Sequence, residues 1–288
     1  MTMKKWFYSL QEQSGVEASL SCPLNCVRYL SKKMITKHLI GYKSLILFGL
    51  LISSCDPLVN EFNDIEEAIM YRANNITEFS AKDTIKVMTW NIRFGVARLR
   101  FFGDGCGDRV VLKKSEVYEA LENLAEKIEI EDPDILLLQE VDVQSKKTGY
   151  IDQAQWLVDH TNFNYGAYAS MWESQIILAD GLGRVNTGNL ILSKWELDNA
   201  ERYQLPLRGD QDALTKYFYL RRNVLKATVN MPGKPFYAVN THATAFATDE
   251  TKQKHLDKFK FILDGIVAEG KNFVAGGDLN EIPPNASK

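Results

Sequence analysis

Cysteine and histidine are scarce, four of each in 288 residues. So few cysteines cannot make the disulfide scaffold of a small secreted fold. Cys22 and Cys26 stand four apart with no second ligand pair, whereas a zinc site takes about four ligands. Long apolar stretches are missing too: the run at residues 45–52 falls well short of the roughly 20 residues that cross a bilayer. Positive charge is not in excess, with Lys+Arg 34 against Asp+Glu 37 and a net charge of −3. No basic field therefore steers the chain towards nucleic acid, although a cleft with a few local cations stays open. The glycines at 103–107 lack the Gly-Lys-Ser/Thr that completes a phosphate-cradling loop, and no internal repeat is visible. What is present is ordinary globular composition, 45% hydrophobic and 25% charged, which excludes disorder and collagen-like repetition. This length fits one large domain or two small ones.

Residues 34–55 read MITKHLIGYKSLILFGLLISSC. Lys37 and Lys43 precede the apolar run, and Ser53 and Ser54 precede Cys55, the order of a signal peptide rather than a spanning helix. Ile52-Ser53-Ser54-Cys55 resembles the lipobox of bacterial lipoproteins, which implies lipidation at Cys55. Two or more acyl chains would hold the protein stably on the cell envelope. Residues 1–33 then read as an extension upstream of a start at Met34, and 34–54 as a removable signal. Residues 55–84 are polar and weakly periodic, read as a tether with room for one short helix. With Cys55 lipidated, Cys106 stands alone and no internal disulfide forms.

Residues 85–92 alternate and are rich in β-formers, so they predict a strand. Residues 101–111 read as a loop. Ser115 is placed to cap a helix with Glu116 and Glu119 in its first turn. Its apolar face is Val117, Leu121, Leu124 and Ile128, and Asp132-Pro133-Asp134 ends it. Residues 135–138 are continuously apolar, the mark of a strand covered on both faces. Further strands are predicted at 188–192, 224–229, 235–240 and 273–275. A second helix is predicted at 249–268, with Leu256, Phe259, Leu263 and Ile266 or Val267 inward. Several strands follow one another directly, so mixed sheets faced by helices are expected. His255 reads as a solvated face residue and His160 as structural. Arg208-Gly209-Asp210 reads as a chance tripeptide, and Asp210 and Asp212 as solvated turn residues.

Polar residues recur at the C-terminal ends of the apolar runs: Asn91, Gln139-Glu140, His242, Asp278 and Asn280. One alone would be a strand cap. Five suggest strand ends converging on a cleft whose carboxylates and amides hold a divalent cation. Oxygen ligands without cysteine or histidine clusters point to Mg²⁺ or Mn²⁺.

Thr89-Trp90-Asn91-Ile92-Arg93, Pro133-Asp134-Ile135-Leu136-Leu137-Leu138-Gln139-Glu140-Val141, Gly188-Asn189-Leu190-Ile191-Leu192-Ser193, Asn240-Thr241-His242 and Gly276-Gly277-Asp278-Leu279-Asn280 stand in one order. Together they resemble successive motifs of the endonuclease/exonuclease/phosphatase superfamily. The resemblance implies an α/β, four-layer sandwich of two mixed β-sheets faced by helices, over residues 85–288. It implies Glu140 as the main metal carboxylate, with Asn91 beside it on metal and phosphate. His242 would contact the scissile phosphate, Asp278 and Asn280 would orient water and phosphate oxygens, and Arg222, preferred over Arg221, would contact the phosphate. The superfamily pattern continues to a Ser-Asp-His motif that the residues up to Lys288 do not contain, so a domain incomplete at its C-terminus is expected. Arg93 stands where apurinic-site nucleases of the family carry an acidic residue, which disfavours that branch.

The expected function is an envelope-anchored, Mg²⁺-dependent phosphodiesterase of endonuclease/exonuclease type. Its partners would be a phosphodiester substrate, nucleic acid or a phospholipid head group, and a membrane reached through the N-terminal lipid. A phospholipid, sphingomyelin or inositol-phosphate phosphoesterase is the first alternative, and a non-catalytic surface-binding lipoprotein the second.

Overall fold

Alternating apolar residues build two five-stranded sheets that share one core. The computed structural model describes residues 58–96, 99–100, 109–177 and 181–281. The signal segment, Cys55, Cys106 and most of the 101–111 loop lie outside the described residues. In chain order the strands are β1 (Ile65–Glu67), β2 (Ile69–Arg72), β3 (Val87–Asn91), β4 (Ile135–Asp142) and β5 (Tyr165–Ile177). They continue with β6 (Gly183–Ser193), β7 (Leu197–Gln204), β8 (Asn223–Val229), β9 (Phe236–His242) and β10 (Phe273–Asp278). The helices are α1 (Lys114–Glu131), α2 (Gln153–Asp159), α3 (Ala213–Phe218) and α4 (Thr251–Ala268). Among the described residues, no helix is long and apolar enough to cross a membrane.

One sheet has the order β2-β5-β6-β4-β3 and the other β1-β7-β8-β9-β10. Each mixes parallel and antiparallel pairs. Within β4, Leu136 and Leu138 face α1 and α2, where they meet Leu121, Leu124, Ile128 and Leu157. Ile135 and Leu137 point the other way and meet Leu225, Ala227 and Ala238 of the second sheet. That sheet turns Val224 and Val239 outward onto Ile262 and Ile266 of α4. The layers are therefore helices, sheet, sheet, helix: the mixed sandwich expected from the sequence.

Several local expectations need correction. Residues 55–84 are not simply a tether, because Ile65–Glu67 pairs with β7 and Ile69–Arg72 with β5. The strands are three and four residues long, too short to show a period of two against polar neighbours. Helix α1 begins two residues earlier than a cap at Ser115 implies. Lys113 is its extended cap, and the Glu116 carboxylate accepts from Lys113 N at 3.0 Å. Its end is as expected, with Asp132 left-handed at φ 43° before Pro133. On α4 the buried face carries Thr251, His255, Ile262 and Ile266, while Val267 is exposed. His255 is thus a core residue rather than a solvated one.

Candidate active site

Two parallel strand pairs bring four chain segments to the same place. β3 runs parallel to β4 with Asn91 opposite Gln139, and β9 runs parallel to β10 with His242 opposite Asp278. β10 lies against β3 across the sheets, so all four C-terminal strand ends open on one cleft. Arg222 enters it from the residue before β8. The cleft is a cavity of about 790 Å³ whose wall includes Asn91, Glu140, Arg222, His242, Asp278 and Asn280. Each of these six was predicted from the sequence, and the structure brings all of them together.

Glu140 reaches the cleft through a break in its strand. The register between β4 and β6 slips between Leu138 and Val141, and Glu140 is left-handed at φ 58°. The bulge returns Val141 to the helix-facing core alongside Leu138, although the two are three residues apart. A left-handed non-glycine residue costs about 1–3 kcal/mol, and such bulges re-aim side chains beside sites. Gly277 solves the matching problem in β10. Its φ is 146°, and a Cβ there would stand 2.0 Å from Thr241 O.

At the centre, Asn91 Nδ2 donates to Glu140 Oε1 at 3.0 Å and to Asp278 Oδ2 at 2.9 Å. Asn91 Oδ1 accepts from Arg93 N at 3.0 Å, which fixes the amide's direction. His242 Nε2 lies 3.6 Å from Asp278 Oδ2 and 3.9 Å from Glu140 Oε1. Arg222 Nη1 donates to His242 O at 3.2 Å. Asn280 N donates to Asp278 Oδ1 at 2.9 Å, and Asn280 Nδ2 donates to Ala243 O at 2.9 Å. Burial is the largest influence on the charges. It raises the Glu140 carboxyl above its ordinary value, with Asp278 adding like charge and Asn91 and Arg222 opposing. It also holds His242 well below its ordinary value, helped by Arg222, so the imidazole is neutral at pH 7.

These groups fit a hard divalent cation. Among the described residues no three His, Cys, Asp or Glu side chains form a metal cage. The donors are instead two carboxylates, an amide and an imidazole. Two carboxylate oxygens already converge on a single donor, the Asn91 amide, and oxygen donors of this kind suit Mg²⁺ or Mn²⁺.

Sequence reading missed the polar layer beneath the cleft. Gln139 Nε2 donates to Asn240 Oδ1 at 2.7 Å, and Asn189 Nδ2 to Asn223 Oδ1 at 2.9 Å. Lys147 is wholly buried; its Nζ donates to Asp142 Oδ1 at 2.5 Å and to Thr187 Oγ1 at 2.9 Å. The same Nζ sits 4.2 Å from the centre of the Phe94 ring, on the cleft wall. Asn186, Thr187 and Asn189 inside an otherwise strand-like run were the available signal, since buried polar groups need partners. Asp210 is also more than a turn residue. It accepts from Arg208 Nε at 2.9 Å and from Thr248 N at 2.8 Å. Asp212 does cap α3, accepting from Leu214 N and Thr215 N at 3.0 Å each.

Comparison with known proteins follows the same lines. Comparison with curated proteins finds no match. Among solved structures, an endonuclease/exonuclease/phosphatase from Beutenbergia cavernae is 22% identical, covering 70% of this chain and 50% of that one, with a TM-score of 0.48. TDP2 from Caenorhabditis elegans is 20% identical, covering 71% and 49%, at 0.40. The human nocturnin catalytic domain is 19% identical, covering 77% and 68%, at 0.44. The chain spans about half the length of the first two. Residues 88–288 match the model of the Endonuclease/Exonuclease/phosphatase family. That span carries every strand end of the cleft, and the chain belongs to this family.

Proposed function

We propose that this protein is a divalent-metal-dependent hydrolase of phosphodiesters. The observation that carries the reading is the pair of carboxylates, Glu140 and Asp278, sharing one Asn91 amide in a cleft that also holds Arg222 and a neutral His242. Glu140 and Asn91, with Mg²⁺ or Mn²⁺ as the cation, form the metal end. When bound there, the cation supplies Lewis-acid stabilisation of the charge that builds on phosphorus oxygens. Arg222 presents buried positive charge to the same oxygens, and His242 serves them as a neutral hydrogen-bonding group. Asp278, held by Asn280 N, orients the attacking water and takes its proton. The water oxygen bonds to phosphorus, the bond from phosphorus to the alcohol oxygen breaks, and the departing oxygen takes up a proton from solvent to leave as the alcohol. Fixed charge and dipoles of this kind need no covalent intermediate.

The cleft wall favours small or lipid-derived esters over nucleic acid. Among its described lining residues only Arg93 and Arg222 are basic, while Trp90, Phe94, Leu124, Met171, Trp172 and Leu220 are not polar ions. We also propose that Cys55 carries a lipid anchor at the cell envelope, supported by the order of charge, apolar run, small residues and cysteine. Converging ionisable groups weigh against a purely binding role.

The full chain with Mg²⁺ should hydrolyse bis(p-nitrophenyl) phosphate, with DNA, RNA and sphingomyelin assayed beside it. Glu140→Ala and His242→Ala should each lower kcat by about 100-fold or more. Turnover that survives both substitutions together would overturn the site.

A further inference from the structure

Two bulges of the first sheet flank one residue. β4 slips just before Val141 pairs with Gly188, and β5 slips just after Ser170 pairs with Gly188. Gly188 allows the crowding, since a Cβ there would stand 2.2 Å from Ala169 O. The first bulge delivers Glu140 to the cleft. The second delivers Met171 and Trp172 to the same cavity.

Trp172 is 6% exposed and packs on Leu220 and Phe218, yet its indole Nε1 has no hydrogen-bond partner. Two other cleft residues share that property, Arg222 at Nε and His242 at Nδ1. Buried donors are normally satisfied, so a tryptophan on the cavity wall with a free N–H is the group that calls for a ligand's acceptor. The apolar and phosphate ends are joined through the backbone, where Arg221 N donates to Met171 O at 2.6 Å.

We propose that Trp172 determines specificity for the group esterified to the phosphate. That group is a single ring bearing a hydrogen-bond acceptor, the ring against Leu124 and Leu220 and the acceptor on the Trp172 N–H. The inference rests on reading the strand-end cluster as a phosphodiesterase. It names the substrate class as a compact, ring-bearing phosphoric ester rather than a polymer. A polymeric strand needs a track of cations along its backbone, and the two arginines among the described lining residues do not make one.

The test uses the full chain labelled at tryptophan nitrogen, with the Trp172 resonance assigned by its loss in Trp172→Phe. Adding p-nitrophenyl phosphate should shift that resonance, and adding dimethyl phosphate should not. In turnover of bis(p-nitrophenyl) phosphate, Trp172→Phe should raise KM about 5-fold, the weight of one hydrogen bond, and lower kcat by much less. An unmoved resonance with unchanged KM overturns the subsite and leaves the hydrolase standing. A shifted resonance in a chain that hydrolyses no phosphodiester supports the subsite and overturns the catalytic reading. Affinity for oligothymidylates that climbs with each added nucleotide also overturns the proposal.

Discussion

Lys147 and Asp142 form a wholly buried ion pair, 2.5 Å from Nζ to Oδ1, in the layer directly under the cleft. Thr148 Oγ1 also donates to Asp142, at 2.8 Å, and the ammonium faces the Phe94 ring. Burial lowers the Lys147 ammonium below its ordinary value while Asp142 opposes that shift. Asp142→Ala strands the cation in the core. Urea denaturation should show a loss of about 3–5 kcal/mol, the usual result of breaking a buried pair from one side. Replacing both, Asp142→Leu with Lys147→Met, should recover most of that loss.

Gly277→Ala should do more damage than any other glycine change in β10. The added methyl would overlap Thr241 O, and φ 146° suits no alanine. A cost of about 2–4 kcal/mol is expected from backbone strain and overpacking together. Gly233→Ala is the control. Its φ is 72° with nothing within 4 Å of the new Cβ, so about 1 kcal/mol should be lost. Equal thermal shifts for the two variants would contradict the close approach of β9 and β10.

His255 should make the fold sensitive to mild acid. Its Nε2 meets Pro206 O at 2.7 Å, and its Nδ1 accepts from Thr244 N at 3.2 Å. Burial pushes its pKa from 6.5 down to about 4. The unfolded chain therefore binds the extra proton first, and above pH 6.5, where neither state carries it, the fold keeps its full stability. Stability then falls as pH drops from 6.5 through 4, by about 3 kcal/mol in all. Urea midpoints measured from pH 7 to 4 should slope less steeply in His255→Gln than in the parent chain.

Asp210 acts as a clasp on the loop that carries Phe246. Arg208 reaches Asp210 Oδ2 at 2.7 Å and Phe246 O at 2.6 Å, while Gly209 N donates to Asp249 Oδ2 at 2.8 Å. Asp210→Ala should cost about 1–3 kcal/mol by leaving Arg208 under-satisfied. Because Phe246 lines the cleft, it should also raise KM for bis(p-nitrophenyl) phosphate. Asp212→Ala removes only the cap of a short, half-buried helix and should cost about 1 kcal/mol with KM unchanged.

The fold was most legible where one residue type repeated. Residues 135–138 announced a doubly covered strand, and the polar ends Asn91, Glu140, His242 and Asp278 announced the cleft. β5 was silent because Gly166, Ala167, Ala169 and Ser170 interrupt its large buried residues Tyr168, Met171 and Trp172, so neither alternation nor a continuous apolar run shows. β7 reads LDNAERYQ and was equally silent. The bulges at Glu140 and Met171 could not be read either, since a register slip depends on the partner strand. His255 was misread because four lysines crowd its helix, and local charge says nothing about the face on which one residue falls.

The segment from Ile65 to Arg72 crosses from one sheet to the other within eight residues and borders both at the side opposite β3 and β10. Immediately before it, Leu58–Asn60 is held on Glu173 and Ser174 of β5, beside Trp172, so force arriving along the chain meets β5 before it reaches the β1–β7 pair. Two strands, β7 and β8, stand between β1 and β9 in one sheet, and two, β5 and β6, between β2 and β4 in the other. The far edges of both sheets are thereby fastened by one short stretch of chain, on the side away from the paired strand ends.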